Sequence, residues 1–541
     1  MAGLAASFGS GAMTNSIPDL EESDCILVVG SNTTEQHPII GSRLLRAHEG
    51  RGTKLIVADP RRIQMTLHAD LWLRQRPGSD VAWLNGVMNI IINEGLADEE
   101  FIANRTEGFE EVKEIVSRYT PDVVERISGI PQEKLREAAL MYGQAESAAI
   151  IYAMGITQHT SGVDHVKACA NLAMITGNLG RPGTGVNPLR GQNNVQGACD
   201  MGALANVYPG YQAVTNPELK QKFEKAWGVE GLSDKVGLTV TEMIDAAETG
   251  EVKALYVMGE NPVLSDPDSN HVIKALKALD LLVVQDIFLT ETAQLAHVVL
   301  PGCSYAEKDG TFTGTDRRVQ LVREAIPPLG ESKSDWVIIC ELAQLMGAAG
   351  FDFESPEQIL EEIAALTPIY GGVSNGRLEE LGYLQWPCRT AEDAGTPYLH
   401  QGQFSRGLGK MHAVEYQDPA EMPDEEYPYV LTTGRNIFHF HTGTMTRRSP
   451  KLEAESPEGY VELNPEDAAE LGVADGQQVR VSSRRGEIEA RAWVTDRVPR
   501  GLVFAPFHYA EAAANVLTNP AIDPTAKIPE YKVCAVRLEA A

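Results

Sequence analysis

The sequence has few cysteines, and none of them lies close to another. The seven cysteines are spread from Cys25 to Cys534, and no Cys-x-x-Cys pair occurs. This spacing argues against an iron–sulfur or zinc site built from local sequence, and an odd number of scattered cysteines indicates reduced thiols. We expect most of them to be small buried side chains. Only Cys199 lies in a conspicuously polar segment, and no base accompanies it there.

Long hydrophobic runs are missing and basic residues are scarce. No apolar run reaches the ~18 residues of a membrane helix, and no Lys or Arg precedes Arg43, which argues against a secretory leader. The chain has 46 Lys and Arg against 75 Asp and Glu, for a formal net charge of −29. Such a charge repels nucleic acid and anionic membranes. We therefore predict a cytoplasmic chain with no membrane span, whose partners are small molecules or proteins. Its 541 residues are too many for one core and predict about three or four domains.

The standard nucleotide-binding fingerprints are also missing. Neither Gly-x-Gly-x-x-Gly nor the P-loop pattern occurs, which disfavours ordinary NAD binding and ATP hydrolysis. Apolar runs nevertheless alternate with helical patterns, as in βαβ units with a mostly parallel sheet. In two copies, a strand breaks at a Gly-x-Asn turn and a later strand ends in Asp: Gly30 precedes Asp59 by 29 residues, and Gly259 precedes Asp286 by 27.

This repeat predicts two nucleotide sites, because ligands of open parallel sheets bind beyond the carboxyl ends of the strands. A glycine there lets the backbone approach a diphosphate, and a carboxylate can accept hydrogen bonds from ribose or guanine. The alternative is that this topology produces such turns without any ligand.

The pattern changes class after a connector rich in Gly, Pro and acidic residues at about 390–429. Beyond it, short alternating segments such as Gln477–Val494 predict β-strands. Asn464 and Gly472 have the positions of an N-cap and a C-terminal glycine around a short helix. The chain is therefore expected to end in a small β-barrel. The predicted domains are a first Rossmann-like domain (1–192), a second (193–350), a connector (351–400) and the barrel (401–541).

One segment, Val186–Gly202, is unusually polar. Its sequence VNPLRGQNNVQGACDMG contains an arginine, several side-chain amides and three glycines, and its few apolar residues follow neither a helical period nor a strand alternation. We interpret it as a loop. It could be a solvated surface loop, or it could face a charged ligand whose polar groups its amides satisfy.

Six segments, in this order, resemble molybdenum- or tungsten-dependent formate dehydrogenases: AMGITQH, NPLRGQNNVQGACDMG, MGENP, EKDGTFTGTDRR, HFHTGTMTRR and PEYKVCAVR. These enzymes belong to the dimethyl sulfoxide reductase family, whose cofactor is bis(molybdopterin guanine dinucleotide), or bis-MGD. The resemblance reaches from the first residues to Arg537. It implies an α/β fold of two Rossmann-like parallel-sheet domains related by a pseudo-repeat, followed by a double-psi-type β-barrel. It also implies reversible two-electron oxidation of formate to CO2 at a Mo or W bis-MGD centre.

The resemblance assigns site residues by position. Arg190 matches the arginine that holds the formate carboxylate, which suits a guanidinium because two parallel N–H donors meet two oxygens. Gln192 matches a cofactor contact beside it. The residues that match the first guanine dinucleotide site are Gly30, Asn32, Glu35, Asp59, Arg61, Asp80, Met154, Gly155 and Gln158. Those that match the second are Gly259, Asn261, Gln285 and Asp335. Those that match contacts of the barrel with the pterins are Arg435, His439, His441, Thr442, Asn515, Tyr531 and Lys532.

Each of these residues also has an ordinary structural interpretation. Asp59 could cap a helix, His439 and His441 could lie on the exposed face of a strand, and Tyr531 could belong to the core. The functional interpretation rests on their joint occurrence in this order.

The family's N-terminal [4Fe–4S] segment and its Cys or selenocysteine metal ligand, followed by histidine, have no counterpart here, so no metal ligand is predicted. The sequence opens as Met1-Ala2-Gly3-Leu4-Ala5, where the family continues just past that histidine. We hypothesise that the chain is truncated at a selenocysteine codon read as a stop, and that it is inactive alone. A deliberate fragment or a split gene is the alternative.

Two rival functions remain open at this stage. One is another oxidoreductase of the same family, acting on nitrate or an S-oxide, which the run Arg190–Asn194 disfavours. The other is a metal-free structural subunit of a redox complex, in which the nucleotide turns would be expected to degenerate. The resemblance further implies electron-transfer subunits carrying iron–sulfur clusters or flavin as partners.

Overall fold

The computed structural model describes residues 1–541, which form 21 strands and 20 α-helices. The strands are β1 (Cys25–Val29), β2 (Lys54–Ala58), β3 (Leu71–Leu73), β4 (Thr106–Glu107), β5 (Ala148–Tyr152), β6 (Gly185–Pro188), β7 (Val207–Tyr208), β8 (Gln212–Ala213), β9 (Ala254–Met258), β10 (Leu281–Asp286), β11 (Val298–Pro301), β12 (Gly310–Thr313), β13 (Arg318–Val322), β14 (Leu384–Gln385), β15 (Gly409–Lys410), β16 (Tyr429–Gly434), β17 (Tyr460–Leu463), β18 (Gln478–Ser482), β19 (Glu487–Val494), β20 (Leu502–Pro506) and β21 (Cys534–Ala540).

The helices are α1 (Ala2–Phe8), α2 (Thr33–Gln36), α3 (Pro38–Arg51), α4 (Asp80–Asn93), α5 (Glu99–Arg105), α6 (Phe109–Val116), α7 (Pro121–Ser128), α8 (Gln132–Gly143), α9 (Met154–Thr157), α10 (Gly162–Ile175), α11 (Val195–Asp200), α12 (Pro217–Trp227), α13 (Val240–Glu248), α14 (Pro262–Ser265), α15 (Ser269–Lys277), α16 (Asp335–Leu345), α17 (Pro356–Leu366), α18 (Asn375–Leu381), α19 (Pro450–Glu455) and α20 (Pro465–Leu471). The chain divides into two compact units. Unit 1 comprises 1–189, 264–270 and 398–541, and unit 2 comprises 190–263 and 271–397.

Unit 1 contains a five-stranded parallel sheet in the order β3-β2-β1-β5-β6. The strand β1 is buried at every residue. Leu27 and Val29 belong to a core with residues of α4, α8 and α10, whereas Ile26 and Val28 belong to a second core with residues of α3. Burial on both faces explains why this strand reads as a continuous apolar run. The strand order reverses between β1 and β5, which is where ligands of doubly wound sheets bind.

Unit 1 also contains a closed barrel of six strands, in the order β16-β20-β17-β19-β18-β21. The strand β19 alternates between buried and exposed residues, as a barrel wall requires. The short helix α20 has the predicted ends: Asn464 accepts a hydrogen bond from the Glu466 amide, and Gly472 adopts a left-handed conformation. The predicted barrel and this predicted helix are both confirmed.

Unit 2 contains a three-stranded parallel sheet in the order β11-β10-β9 and a separate antiparallel sheet of β12, β13 and β14. One face of the parallel sheet has a core, in which Val257 and Val284 pack with residues of α13 and α15. Tyr256, Met258 and Leu281 are exposed instead. Parallel sheets are usually covered on both faces. This sheet differs, because only one of its faces packs against a core.

The α/β class with parallel sheets and a C-terminal barrel is confirmed. The four domain boundaries remain predictions. No helix has both the length and the apolar character needed to cross a bilayer. All seven cysteines are free and buried, as expected. The prediction of a loop throughout Val186–Gly202 is wrong, because the segment begins with three residues of β6 and contains α11.

Candidate functional site

Two glycine turns meet at the carboxyl ends of β1 and β5. The Gly155 amide donates to the Gly30 carbonyl over 3.0 Å. A Cβ atom on Gly155 would lie 2.4 Å from that carbonyl oxygen, and Gly30 has a left-handed φ of 53°. Neither position tolerates a larger residue without displacing the other turn. The structure therefore brings together two residues that the sequence assigned to one site, and it leaves bare backbone at the strand ends.

Asn32 and Glu35 lie on the turn that follows Gly30. Asn32 precedes α2 without forming a side-chain cap, and its Nδ2 is buried with no hydrogen-bond partner. A buried amide donor without a partner is costly, so this atom is available to a ligand. Glu35 forms an ion pair of 3.4 Å with Arg497. The predicted role of Asn32 has a free donor to support it, whereas Glu35 already has a protein partner.

Asp59 and Arg61 form the turn after β2. The Asp59 carboxylate accepts from the Arg61 amide over 2.9 Å, and burial raises the pKa of this carboxyl to about 6. Asp59 does not cap a helix. The buried Arg61 guanidinium donates to both oxygens of Glu462 in β17, at 3.0 and 2.6 Å. Arg61 therefore ties the turn to the barrel, which its predicted role as a cofactor contact did not include.

Asp80 begins α4 and is buried beside two histidines that sequence reasoning did not select as site residues. Ligand atoms of Asp80, His159 and His165 lie within 4.8 Å of one another. His159 donates from Nε2 to the Gly155 carbonyl at 3.0 Å, and its buried Nδ1 has no partner. His165 donates from Nδ1 to the Ile156 carbonyl at 2.6 Å. His165 Nε2 lies 3.1 Å from the Ser161 hydroxyl, so only the His159 ring has a nitrogen without a partner. Burial raises the pKa of the Asp80 carboxyl.

These three groups can accept hydrogen bonds from an amino or imino group, or hold a cation. No local pattern in the sequence indicates the cluster, because its members come from two helices and a loop.

Three basic side chains, Arg435, His441 and Lys532, are desolvated in the barrel part of unit 1. Arg435 is largely desolvated, which lowers its pKa to about 10, and no acidic side chain pairs with it. Burial, and then the charge of Arg435, lower the pKa of His441 to about 4. Lys532 donates to the Thr433 carbonyl over 2.7 Å, and burial lowers its pKa to about 7. No acidic side chain offsets the charge of Arg435 and only the Asp59 carboxylate offsets that of Lys532, so these buried basic groups suit an anion.

The remaining barrel residues have protein partners. His439 and His441 lie in a turn and not on a strand face, and His439 contacts the Ser456 carbonyl over 2.7 Å. Asn515 donates to the Leu264 carbonyl over 2.7 Å, and Tyr531 donates to the Ser265 carbonyl over 2.9 Å. Three other predicted residues show no feature that indicates a ligand: Met154 is partly exposed on α9, Gln158 follows α9 as its C-cap, and the Thr442 hydroxyl lies 3.0 Å from that of Thr444.

In unit 2, three of the four residues predicted for the second nucleotide site lie together. The Gly259 amide donates to the Gln285 carbonyl over 2.8 Å, and Gln285 Nε2 donates to Asp335 over 2.7 Å. Asp335 also pairs with Lys308. Asn261 instead donates to Glu291 over 2.7 Å. The glycine has a φ of 62° and open space around its missing Cβ, so the turn is accessible to a ligand.

Arg190 lies at the start of unit 2, on the polar segment. Its amide donates to the Thr315 hydroxyl over 3.0 Å, and its Nη1 lies 3.8 Å from Cys199 Sγ. The side chain is half-buried, whereas Gln192 is exposed. The adjacent helix α11 ends in Asp200, a buried carboxylate that sequence reasoning did not select. The segment therefore has polar side chains both at the surface and in the interior: the amides at 192 and 193 are exposed, and the polar groups at 196 and 200 are buried.

The residues present fit a cofactor with amino groups and phosphates. Within unit 1, complementary groups are the Asn32 Nδ2 donor and the His159 Nδ1 atom, both without a partner, and the basic side chains Arg435 and Lys532. The polar turn at Gly259 supplies a second set within unit 2. A doubly wound sheet with polar turns at its strand ends, together with buried basic side chains in the barrel part of unit 1, is typical of a protein that binds a nucleotide-containing cofactor.

Comparisons with known proteins identify the family. Residues 4–345 match the family model described as molybdopterin oxidoreductase, and residues 429–535 match that of the molybdopterin dinucleotide-binding domain. The chain belongs to the molybdopterin oxidoreductase family, and its cofactor is of the bis-MGD type with Mo or W.

Curated relatives cover nearly the whole chain. It is 56% identical to the F420-dependent formate dehydrogenase 1 subunit alpha of Methanococcus maripaludis, over 99% of this chain and 79% of that protein. It is 44% identical to formate dehydrogenase H of Escherichia coli, over 100% of this chain and 76% of that protein. Acetylene hydratase from Pelobacter acetylenicus has the same fold, with a TM-score of 0.79 at 24% identity, covering 100% of this chain and 80% of that one.

Proposed function

We propose that this chain is the catalytic subunit of a formate dehydrogenase, which interconverts formate with CO2, a proton and two electrons. The observation that carries the proposal is Arg190, a half-buried guanidinium on a segment anchored by Thr315 and α11. Relatives named formate dehydrogenase, 44–56% identical over nearly the whole chain, support it.

The Arg190 side chain binds the substrate carboxylate. Two parallel N–H donors of a guanidinium match the two carboxylate oxygens, so the anion is held in one orientation with its C–H bond directed away from the arginine. Orientation of this kind converts a bimolecular encounter into a positioned reaction and contributes several kcal/mol (roughly 7–11 at best) to lowering the barrier. Gln192, which is exposed beside it, can contact the cofactor.

The cofactor supplies the redox chemistry when bound, as acceptor of the two electrons of the formate C–H bond. In unit 1, the residues that would hold it are Gly30, Asn32, Asp59, Asp80, Arg435 and Lys532. In unit 2, they are Gly259, Gln285 and Asp335. Burial of Lys532 and Arg435 matters because a desolvated cation attracts a phosphate more strongly than an exposed one does.

The electrons leave through partner subunits. We propose that these carry iron–sulfur clusters or a flavin, as electron-transfer subunits of redox enzymes do. The seven free, buried cysteines fit a reducing compartment, and we propose the cytoplasm as the location.

The test is an assay of the complete holoenzyme that contains this chain, purified without oxygen from its native cells grown with molybdate or tungstate. Formate-dependent reduction of a viologen dye, with release of guanine nucleotide on acid treatment, is the expected result. Reduction of nitrate or an S-oxide without formate oxidation would favour another oxidoreductase of the family. A preparation with neither metal nor guanine nucleotide would favour a structural subunit.

A further inference from the structure

A buried carboxylate network lies behind the Arg190 segment in unit 2. Asp200 is fully buried and accepts hydrogen bonds from the Tyr370 hydroxyl at 2.6 Å, from the Tyr211 hydroxyl at 2.7 Å, and from Gln196 Nε2 at 2.7 Å. Neither tyrosine belongs to the polar segment. Tyr370 comes from a position 170 residues further along the chain. Three convergent donors fix a carboxylate in position and direction.

The same network reaches the start of the segment. The Tyr370 hydroxyl lies 3.0 Å from the Thr313 hydroxyl, and the Thr313 amide donates to Asn194 Oδ1 over 2.9 Å. Asn194 precedes α11, and Asp200 ends it. Tyr370 therefore contacts a residue at each end of α11. At one end it contacts Thr313, whose amide binds Asn194, and at the other it contacts Asp200. A six-residue helix has little stability of its own, so its position depends on these contacts.

The helix in turn contacts Arg190. Cys199, one residue before Asp200, lies 3.8 Å from Arg190 Nη1, and the Arg190 amide is held by Thr315, two residues after Thr313. A shift of α11 or of the end of β12 would therefore move the guanidinium. Bidentate recognition of a carboxylate depends on direction as well as distance.

We propose that Tyr370 and Asp200 are positioning residues that set the direction in which Arg190 presents its guanidinium to formate. The inference rests on the proposed function. Tyr370 is suited to this role because it is buried away from solvent and its hydroxyl joins the two anchors of the segment.

Tyr370→Phe tests the inference, because it removes one hydroxyl and keeps the ring. We expect the KM for formate to rise about 10-fold with kcat nearly unchanged, which is less than the ~100-fold cost of a 1 Å displacement. Tyr208→Phe is the matched control, since the Tyr208 hydroxyl contacts only the Ser233 carbonyl at 3.4 Å. Its KM should stay within roughly 2-fold of the unsubstituted holoenzyme.

A double-substitution cycle separates positioning from general structural support. If Tyr370 acts through Arg190, Y370F raises the KM in the wild-type background and leaves it unchanged in an R190K background. The same fold increase in both backgrounds, or no increase in either, would overturn the inference. Thr313→Val removes the hydroxyl contact with Tyr370 and keeps both the Tyr370–Asp200 bond and the bond from the Thr313 amide to Asn194. If Y370F accumulates poorly, the same cycle with T313V in place of Y370F tests the inference.

Activity of the unsubstituted holoenzyme separates failure of the proposed function from failure of this inference alone. If it does not oxidise formate, the proposed function fails and the inference fails with it. If it oxidises formate normally and the Y370F variant has an unchanged KM, the inference alone fails.

Discussion

The ion pair between Arg61 and Glu462 gives the sharpest prediction about how unit 1 is held together. Glu462 is completely buried and takes two hydrogen bonds from Arg61, which also lies 3.4 Å above the Phe504 ring. Glu462→Gln preserves the shape of the side chain and removes its charge. The amide then points an N–H group at the guanidinium, and the buried Arg61 keeps only the nearby Asp59 carboxylate to offset its charge.

Removing one partner of a buried pair costs about 3–5 kcal/mol. Unit 1 has about 340 residues, and at roughly 2 cal/mol/K of unfolding entropy per residue this corresponds to a midpoint lower by about 4–7 °C. Because Arg61 follows the Asp59 turn, we also expect the variant to retain less guanine nucleotide after purification.

The matched control lies in the same barrel. Glu458 pairs with Arg491 at 2.9 Å, and both side chains are about half exposed. Glu458→Gln should cost less than ~1 kcal/mol, because solvent screens an exposed pair. Calorimetry at one scan rate compares the two variants. A midpoint for E462Q within 1 °C (roughly one standard error) of the control would refute the assignment of this pair as a stabilising contact of the turn.

Three further predictions concern the site. Gly155→Ala places a Cβ against the Gly30 carbonyl, so we expect a loss of about 1–3 kcal/mol in stability together with lower cofactor content, measured by thermal unfolding and nucleotide release. The pKa of Lys532 is lowered to about 7, so between pH 7 and about 10.4 the folded state binds fewer protons than the unfolded chain. The free energy of unfolding of the cofactor-free chain should therefore rise with pH over this window, and Lys532→Met should flatten that rise. Arg190→Lys keeps the charge but loses the paired donors, so kcat/KM for formate should fall about 100-fold in steady-state assays, and a change below roughly 3-fold would count against the role of Arg190.

Much of the fold follows from local sequence patterns. The strand β1 is predictable because both of its faces are buried, which leaves an unbroken apolar run. The helix α20 is predictable because Asn464 and Gly472 satisfy the two helix ends with their own local chemistry. The contact between the Gly30 and Gly155 turns follows from the meeting of parallel strand ends at one edge of the sheet.

The supporting contacts of the site could not be predicted in this way. Asp200 meets Tyr370 across 170 residues, and Arg61 meets Glu462 across 401. Such pairs leave no periodicity in either segment. The helix α11 was missed for the same reason, because its position depends on partners distant in sequence and not on an amphipathic pattern. Likewise, the acceptors around Asp80 come from separate elements.

The most direct measurement of the central claim follows the fate of the formate carbon and its electrons. Metal-loaded holoenzyme is incubated with 13C-formate and excess oxidised viologen, and 13CO2 and reduced dye are quantified together. If this chain oxidises formate, we expect one 13CO2 for every two electrons transferred, with turnover strongly reduced in the R190K variant. A preparation that contains metal and guanine nucleotide, yet leaves 13C-formate unchanged, would contradict it.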